Sequence, residues 1–406
     1  MSSWFGRLRA ASSALFAKRA YMRFRASPGL DASFVHGEFS VLCLYNFLVK
    51  TWDVIIVGGG IIGVSLAIEL RKRGATVLVV DRGEPGHEAS HAAGGMLVDC
   101  SAETAAPLQP LAIASAKMYP EFAHELEVES GMKVDLRDAG TIVFPPAEHV
   151  YEGRGFSLSS LLPAPLSELE AALAGTSRPA FYLKERSVDP RALTAAAIRT
   201  AKNRGVDFSS GDPVIRIDVP DGRVAGVTTS KTSFSSPKVV NCAGAWSGQI
   251  APFAFPTRPV KGQMLCLVMP SRTTIMHVIR SPEVYLIPRS DGRLLVGATV
   301  EEAGFDKRTD RGTIQRLHQA ALGLVPRLAE AKILEDWAGL RPGTPDALPI
   351  LGATETPGYF VATGHFRDGI LLAPITARVM ADVMTGCTPS YDLNAFDPHR
   401  FASKAA

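Results

Sequence analysis

The chain has 406 residues, of which 46% are hydrophobic and 20% are charged, and its formal net charge is +3. At about 100–200 residues per domain, this length predicts two or three folded cores. The charge is unevenly distributed, because residues 1–50 hold seven Lys or Arg against two Asp or Glu, whereas the remaining chain holds 36 against 38. The body of the protein is therefore not basic, which argues against a nucleic-acid-binding surface.

The cysteines and the apolar runs exclude further classes of protein. No C-x-x-C pair occurs among the five cysteines, which are Cys43, Cys100, Cys242, Cys266 and Cys387. This argues against a disulfide framework or a zinc cluster and indicates a reducing compartment. No apolar run reaches the roughly 18 residues that a membrane span requires. We expect no metal site, no membrane span and, by default, a cytoplasmic location.

Residues 1–30 are rich in Arg, Ser and Ala and lack acidic residues. This composition resembles an organellar transit peptide, which would place the protein in an organelle. Two alternatives are a disordered basic arm and a start codon assigned too far upstream. The last is favoured by Lys50–Val54, which looks like the natural opening of the fold that follows. All three interpretations remain open, and residues 1–50 are set apart from the fold as a basic extension.

A glycine-rich turn follows the first predicted strand. The run Asp53–Val57 is apolar, as in a strand that is buried on both faces of a parallel sheet. Gly58, Gly60 and Gly63 then satisfy the pattern G-x-G-x-x-G. In such a motif the glycines allow a tight turn, a close approach to a pyrophosphate and close helix packing.

The residues after this turn complete a dinucleotide-binding unit. A helix is predicted over Ile61–Arg73 with Gly74 after its end, followed by a strand over Thr76–Val80 and by Asp81. The helix N-terminus would face the phosphates. The Asp81 carboxylate would accept the ribose hydroxyls and repel a 2′-phosphate, which disfavours NADP. The pattern predicts a bound dinucleotide, without choosing between FAD and NAD.

Further elements follow in chain order. Asp189, Pro190 and Gly205 bound a predicted helix over Arg191–Arg204. Residues 259–300 alternate with period two, which predicts an antiparallel sheet. The other predicted elements are a hairpin of Val214–Ile217 and Val224–Thr229, strands over Lys238–Cys242 and Tyr359–Ala362, a helix from Asp310 to about Leu324 and a helix over Ile370–Met384.

The order of these elements predicts an α/β fold, in which a Rossmann-type dinucleotide-binding domain is interleaved with an antiparallel-sheet (α+β) domain. We assign residues 51–97, 185–255 and 335–396 to the first domain. Residues 98–184 and 256–334 are assigned to the second. A site is expected in the cleft that the two domains share.

Several separated motifs resemble one known family. They are V-G-G-G-I-I-G at 57–63, A-A-G-G-M-L at 92–97, N-C-A-G-A-W-S at 241–247, P-V-K-G-Q at 259–263, Y-L-I-P-R at 285–289, V-G-A-T at 296–299, W-A-G-L-R-P-G-T at 337–344 and G-H-F-R-D-G-I-L-L-A-P at 364–374. In this order they resemble the glycine oxidase and D-amino acid oxidase family, and most of all its glycine oxidases of the thiamine-biosynthesis type. The resemblance covers roughly Thr51–Phe396 and implies FAD as the cofactor.

The resemblance also implies the residues of the cofactor site. Those expected to contact FAD are Gly58, Gly60, Ile61, Ile62, Gly63, Asp81, Arg82, Ser90, His91, Ala92, Gly95, Met96, Val214, Ala243, Gly244, Trp246, His365, Phe366, Arg367, Asp368, Gly369, Ile370 and Leu371. Related dehydrogenases bond a histidine covalently to flavin in a T-W-H-x-A-G setting. His91 lacks the preceding Trp, so we expect non-covalent FAD.

By the same resemblance, Arg341 holds the α-carboxylate of an amino acid, Tyr285 joins that contact, and Arg367 lies near the substrate. A guanidinium suits this role because it matches a carboxylate bidentately and stays charged. Two positions depart from the family pattern, which has Met at the position of Val300 and His at that of Glu283. Glycine is therefore not secured as the substrate, and Glu283 either favours a cationic substrate or faces solvent.

The leading hypothesis is oxidative deamination of a small amino acid (glycine, sarcosine or a small D-amino acid). Hydride would pass to flavin N5, and O2 would be reduced to H2O2. The main alternative is a dehydrogenase for D-amino acids or N-methylglycines that uses another acceptor. A third hypothesis is a non-catalytic FAD-binding subunit. The oligomeric state stays open, although homotetramers occur in the family.

Overall fold

The structure is a computed structural model that describes residues 50–99, 104–145, 162–163, 166–173, 176, 178, 180–268 and 275–404. The described residues from Thr51 onward form one compact unit. The predictions made for residues 1–49 lie outside the described part. None of the helices in that part is long and apolar enough to cross a membrane.

The described residues contain the following strands and α-helices. The strands are β1 Val54–Val57, β2 Val77–Val80, β3 Met96–Leu97, β4 Leu136–Arg137, β5 Thr141–Val143, β6 Leu162–Pro163, β7 Phe181–Leu183, β8 Arg186–Val188, β9 Asp207–Ser209, β10 Val214–Asp218, β11 Gly226–Thr229, β12 Ser233–Ser235, β13 Val239–Asn241, β14 Arg258–Val268, β15 Val278–Arg280, β16 Tyr285–Pro288, β17 Arg293–Gly297, β18 Lys332–Gly343, β19 Ile350–Ala353 and β20 Tyr359–Thr363. The helices are α1 Ile61–Lys72, α2 Ala89–Ala92, α3 Gln109–Ser130, α4 Leu166–Leu169, α5 Pro190–Asn203, α6 Arg311–Leu324 and α7 Gly369–Thr385.

A six-stranded sheet carries the predicted dinucleotide-binding unit. Its order is β19-β20-β13-β1-β2-β9, and only the edge strand β19 runs antiparallel to its neighbour. Every residue of β1 and β2 is buried, as expected for a sheet that is covered on both faces. One face packs on α1, α3, α5 and α7 in the largest apolar core, and the other packs on the small sheet β10-β11-β12. The predicted strand–turn–helix–strand unit is confirmed.

An eight-stranded sheet contains the predicted antiparallel region, with the order β18-β14-β17-β16-β15-β5-β7-β6. Its strands alternate between two faces. Leu265, Leu286 and Val296 face α6 in a second core. Their chain neighbours point the other way, where the register aligns Val143, Arg280, Tyr285, Gly297, Met264 and Trp337 in one row across the sheet. Four residues of this row, Val143, Arg280, Tyr285 and Met264, line the cavity described below.

The predicted helix boundaries are confirmed where capping residues marked them. The Asp189 carboxylate accepts the N–H of Arg191 at 2.9 Å at the start of α5, and Gly205 after its end has φ +78°. The Asp310 carboxylate accepts the N–H of Thr313 at 2.8 Å at the start of α6. Such contacts satisfy N–H groups that have no acceptor within the helix.

Many elements were not predicted, among them the 22-residue helix α3, the strand β12 and the 12-residue strand β18. Strand β18 pairs with β14 along its whole length. Residues 335–343 therefore lie in the eight-stranded sheet, together with β5–β7 from the segment 98–184. We propose that the chain forms the two interleaved domains and that the last segment of the first domain begins after Gly343 rather than at residue 335.

Candidate active site

A cavity of about 1580 Å³ lies where the two large sheets meet. Its wall combines the turn after β1, the end of β13 and the start of α7 with side chains from β14, β15, β16 and β18. Ordinary small-molecule pockets measure about 300–1,000 Å³. The volume therefore leaves room for a dinucleotide together with a second small molecule.

The turn after β1 forms a cradle that accepts only glycine at two positions. Gly58 has φ +106°, and a Cβ there would lie 2.4 Å from the carbonyl oxygen of Cys242. A Cβ on Gly63 would lie 2.1 Å from the carbonyl oxygen of Gly58. Gly58 lines the cavity, whereas Gly63 lies behind it and lets α1 pack close to the turn. The cradle fits the pyrophosphate of a dinucleotide.

The polar groups beside the cradle fit the nucleotide that is attached to this pyrophosphate. Asp81 lines the cavity at the end of β2, and its two carboxylate oxygens accept the N–H groups of Gly59 at 2.7 Å and Gly83 at 2.8 Å. Each oxygen keeps a further lone pair for a ribose hydroxyl. The Ser90 hydroxyl accepts the N–H of Ile61 at 2.9 Å and so anchors residues 89–92 to the start of α1.

An aromatic and cationic wall stands beside Asp81. The Arg82 guanidinium lies 4.5 Å from the ring centroid of Trp246, and Phe305 contacts the same indole with a centroid separation of 5.3 Å. Arg82 and Trp246 both line the cavity. The adjacent Gly244 has φ +55°, which ends β13 in a tight turn without a side chain.

The start of α7 closes another side of the cavity. Gly369 and Ile370 line it, and their N–H groups belong to the first turn of the helix, where the helix itself offers no acceptor. This terminus favours negative charge on a bound group. His365 just before it is buried, and burial lowers the pKa of His365 to about 3, so its imidazole is neutral. Its Nε2 lies 3.2 Å from the Thr376 hydroxyl, which is a structural contact.

Arg341 and Tyr285 form a polar pair on the sheet side of the cavity. Arg341 donates from Nη1 to the carbonyl oxygens of Thr299 at 3.0 Å and Lys261 at 3.3 Å. The Tyr285 hydroxyl donates to Met264 Sδ at 3.8 Å and lies within the electrostatic reach of Arg341. A Cβ on Gly262 would lie 2.4 Å from both terminal guanidinium nitrogens, so glycine there makes room for them. Burial raises the pKa of Tyr285 although Arg341 and Arg367 oppose it, so the phenol stays protonated.

Most of the predicted site residues meet in this cavity, including Tyr285, Arg341 and Arg367. Gly63, His91 and Leu371 are the three that do not line it. The His91 ring stacks on His87 with a centroid separation of 5.2 Å, and burial lowers its pKa together with the charge of Arg191. Nothing in this position supports a covalent bond between His91 and flavin.

The two departures from the family pattern have different outcomes. Val300 lines the cavity and is 64% exposed, so it lies at the cavity mouth. Glu283 does not line the cavity; it accepts the Ser281 hydroxyl at 2.8 Å and lies 3.9 Å from Arg178. Of the two interpretations of Glu283, the position favours the one in which the carboxylate faces solvent.

Sequence reasoning missed several contributors to the site. Arg280 and Met264 line the cavity, and the cross-sheet register that places them beside Tyr285 is not visible in single strands. Gln263 supports the site from the other face of β14. It accepts the N–H of Asp310 at 2.7 Å and donates to Glu301 at 2.8 Å, which holds the segment after Val300.

Comparison with known proteins identifies the class. The sequence profile of the family described as FAD dependent oxidoreductase matches residues 53–383, so the chain belongs to this family. It is 33% identical over 372 residues to the glycine oxidase of Geobacillus kaustophilus, covering 87% of this chain and 98% of that protein. The crystal structure of glycine oxidase from Geobacillus kaustophilus matches with a TM-score of 0.80 and 31% identity, covering 86% of this chain and 99% of that one.

A second relative is the bifunctional protein ThiO/ThiG of Trichormus variabilis. It is 34% identical over 370 residues, which cover 88% of this chain and 56% of that protein. The chain thus spans about half the length of this relative. The predicted fold class and the prediction of FAD as cofactor are confirmed. The protein is a member of the FAD-dependent oxidoreductase family that is similar to a glycine oxidase over most of its length.

Proposed function

We propose that the protein oxidises the Cα–N bond of a small amino acid to an imine, which water converts to a 2-oxoacid and ammonia or an amine. Glycine, sarcosine and small D-amino acids are the candidate substrates. O2 is the final oxidant, and it is reduced to H2O2. The observation that carries the proposal is the Arg341–Tyr285 pair, which shares one cavity with the dinucleotide cradle.

FAD, when bound, supplies the two-electron acceptor for the substrate hydride. The residues that would hold its dinucleotide half are Gly58, Gly60, Asp81 and Ser90. The start of α7 would stabilise negative charge through its free N–H groups. If these residues hold FAD, the part of the cavity lined by the eight-stranded sheet stays available for the substrate.

Substrate orientation is the task of the sheet residues. The Arg341 guanidinium would bind the α-carboxylate bidentately, and the protonated Tyr285 hydroxyl would donate a further hydrogen bond. A carboxylate fixed at two points restricts the position of Cα and its hydrogen, and orientation of this kind supplies much of the rate in such reactions. Arg367 adds positive charge on the same cavity wall.

One anaerobic experiment tests the proposal. Purified holoenzyme is mixed separately with glycine, sarcosine, D-alanine and D-proline, and the flavin absorbance near 450 nm is followed. Bleaching by at least one of them supports the proposal, and no bleaching by any small amine overturns it. Repeating the reaction in air with an H2O2 assay separates an oxidase from a dehydrogenase, because a dehydrogenase would bleach without releasing peroxide.

Variants of Arg341 test the residue that carries the proposal. Arg341→Ala removes a bidentate pair of charge-assisted hydrogen bonds, each worth about 1.5–3 kcal/mol, so kcat/KM for the preferred amino acid should fall at least about 100-fold. Arg341→Lys keeps the charge but loses the fork, and an intermediate loss is expected. Arg216→Ala is the control, because this guanidinium lies at the surface beside Asp218. An unchanged kcat/KM in Arg341→Ala would overturn the assignment.

A further inference from the structure

A second guanidinium stands next to the proposed substrate pair. Arg280 lies on β15 directly opposite Tyr285 on β16, in an antiparallel pair. Directly opposite residues project from the same face with their Cβ atoms about 4.5–5.5 Å apart. Both residues line the cavity. Arg280 therefore reaches into the same end of the cavity as Tyr285, on the side away from β18.

Among the described residues, a single long ion pair balances the charge of Arg280. Within the described residues, its recorded partner is Glu185, whose Oε1 lies 3.5 Å from Nη2, at the limit of a hydrogen bond. The Glu185 side chain is 1% exposed and that of Arg280 is 19% exposed. Burial raises the pKa of Glu185 although Arg280 opposes it, and Oε2 has no partner. The remaining donors of Arg280 are thus available to a ligand.

The distribution of charge along the cavity also favours an anionic ligand group near Arg280. Three arginines (Arg280, Arg341 and Arg367) line its substrate end, together with the one acidic residue Asp368 beside Arg367. The other acidic lining residues, Asp81, Glu84 and Glu88, lie toward the dinucleotide cradle. One α-carboxylate satisfies the fork of Arg341. A monocarboxylic substrate would leave the guanidinium N–H groups of Arg280 that Glu185 does not bind facing the cavity without an acceptor from the ligand.

We propose that the preferred substrate is an amino dicarboxylate, with its α-carboxylate on Arg341 and its second carboxylate on Arg280. This inference rests on the proposed function and narrows its substrate class. Arg341 on β18 and Arg280 on β15 lie on opposite sides of Tyr285 on β16 in the sheet, so two carboxylates of one substrate would flank this tyrosine. Arg280 is then a specificity-determining residue, because it contacts the part of the substrate that does not react.

The test compares substrates within one holoenzyme. The ratio of kcat/KM for D-aspartate, D-glutamate or iminodiacetate to kcat/KM for glycine or D-alanine should exceed one. If glycine or D-alanine bleaches the flavin but none of the dicarboxylates does, the inference fails while the proposed function stands. If no amine bleaches the flavin, the proposed function itself fails.

Variants of Arg280 test whether this residue causes the preference for amino dicarboxylates. Arg280→Ala should lower this ratio at least tenfold, and Arg280→Lys should lower it less. Because Arg280→Ala leaves Glu185 buried without its cation, the double variant Arg280→Met with Glu185→Gln provides a second route to the same measurement. Arg178→Ala is the matched control, since this guanidinium lies 5.1 Å from the Phe144 ring but does not line the cavity. A ratio that is unchanged in the Arg280 variants, or that falls equally in Arg178→Ala, overturns the inference.

Discussion

His365 lines the cavity beside α7 and is kept neutral by burial, which lowers its pKa to about 3 from the ordinary value of 6.5. The unfolded chain therefore binds a proton between pH 6.5 and pH 3 that the folded chain rejects. The contribution of this residue to stability is fully present above pH 6.5 and is lost as the pH falls toward 3. Acid should thus destabilise the folded protein through the buried imidazole in the turn before α7.

Replacing the imidazole should remove this acid sensitivity. In His365→Gln, the unfolding free energy should fall less steeply between pH 6.5 and 5, by up to about 1.4 kcal/mol per pH unit relative to the parent protein. Urea denaturation of the two proteins at several pH values measures the slope. His124→Gln, at an exposed position, should keep the parent slope. Identical slopes for the parent and His365→Gln would contradict the assignment.

At the scale of an element, α7 contains a proline, and the hydrogen bond that this proline cannot donate is not replaced within the helix. Pro374 has no N–H, so the carbonyl of Ile370 lacks its usual donor four residues later. The buried Tyr119 hydroxyl of α3 donates to this carbonyl instead. Tyr119→Phe should therefore leave a buried acceptor unsatisfied and lower the unfolding free energy by about 1–3 kcal/mol.

Ser115 provides the matched control, because it donates to the next carbonyl of α7. Its hydroxyl lies 2.6 Å from the Leu371 oxygen. That oxygen also has the helical N–H of Ile375 as a donor. Ser115→Ala should thus destabilise the protein by less than Tyr119→Phe in the same urea titration. Equal losses would show that Pro374 does not make the Ile370 carbonyl depend on Tyr119.

The elements that sequence reasoning predicted are those that carry local signals. Helix α5 was predicted because Asp189, Pro190 and Gly205 mark both ends, and β1 because a continuous apolar run precedes the glycines. Helix α3 starts without a capping side chain, contains Pro120 and leaves Val128 68% exposed, so its pattern is weak. Strand β18 is half exposed and contains Pro and Gly, and its extended form depends on pairing with β14.

The site shows the same division between local and non-local information. The cradle around Gly58 follows from a contiguous motif, so its place in the cavity could be predicted from sequence. Arg280 carries no motif, and only the pairing of β15 with β16 places it beside Tyr285. The support that Gln263 gives to residues after Val300 likewise depends on a contact between segments 47 residues apart. Pairings of this kind are set by the whole sheet rather than by neighbouring residues.

At the scale of the whole molecule, the cavity lies between the two large sheets, so cofactor binding should stabilise the folded protein. Its wall includes Gly58 and Ile370 from the six-stranded side and Tyr285 and Arg341 from the eight-stranded side. A ligand that binds only the folded chain stabilises it by RT ln(1 + [L]/Kd), which is about 2.7 kcal/mol at a free concentration 100-fold above Kd. Removal of FAD should therefore weaken the packing of both sheets against the shared cavity.

Apoprotein prepared by removing FAD should unfold at a Tm roughly 3–8 °C below that of the protein saturated with FAD. The Tm should rise with the logarithm of the free FAD concentration, because binding and folding are linked. NADP is the matched control ligand, since the Asp81 carboxylate lines the cavity and would repel a 2′-phosphate if it held the ribose as proposed. Differential scanning calorimetry over a range of FAD and NADP concentrations makes the comparison. A Tm that does not depend on FAD, or that NADP raises as much, would mean that the cavity between the sheets is not where the cofactor binds.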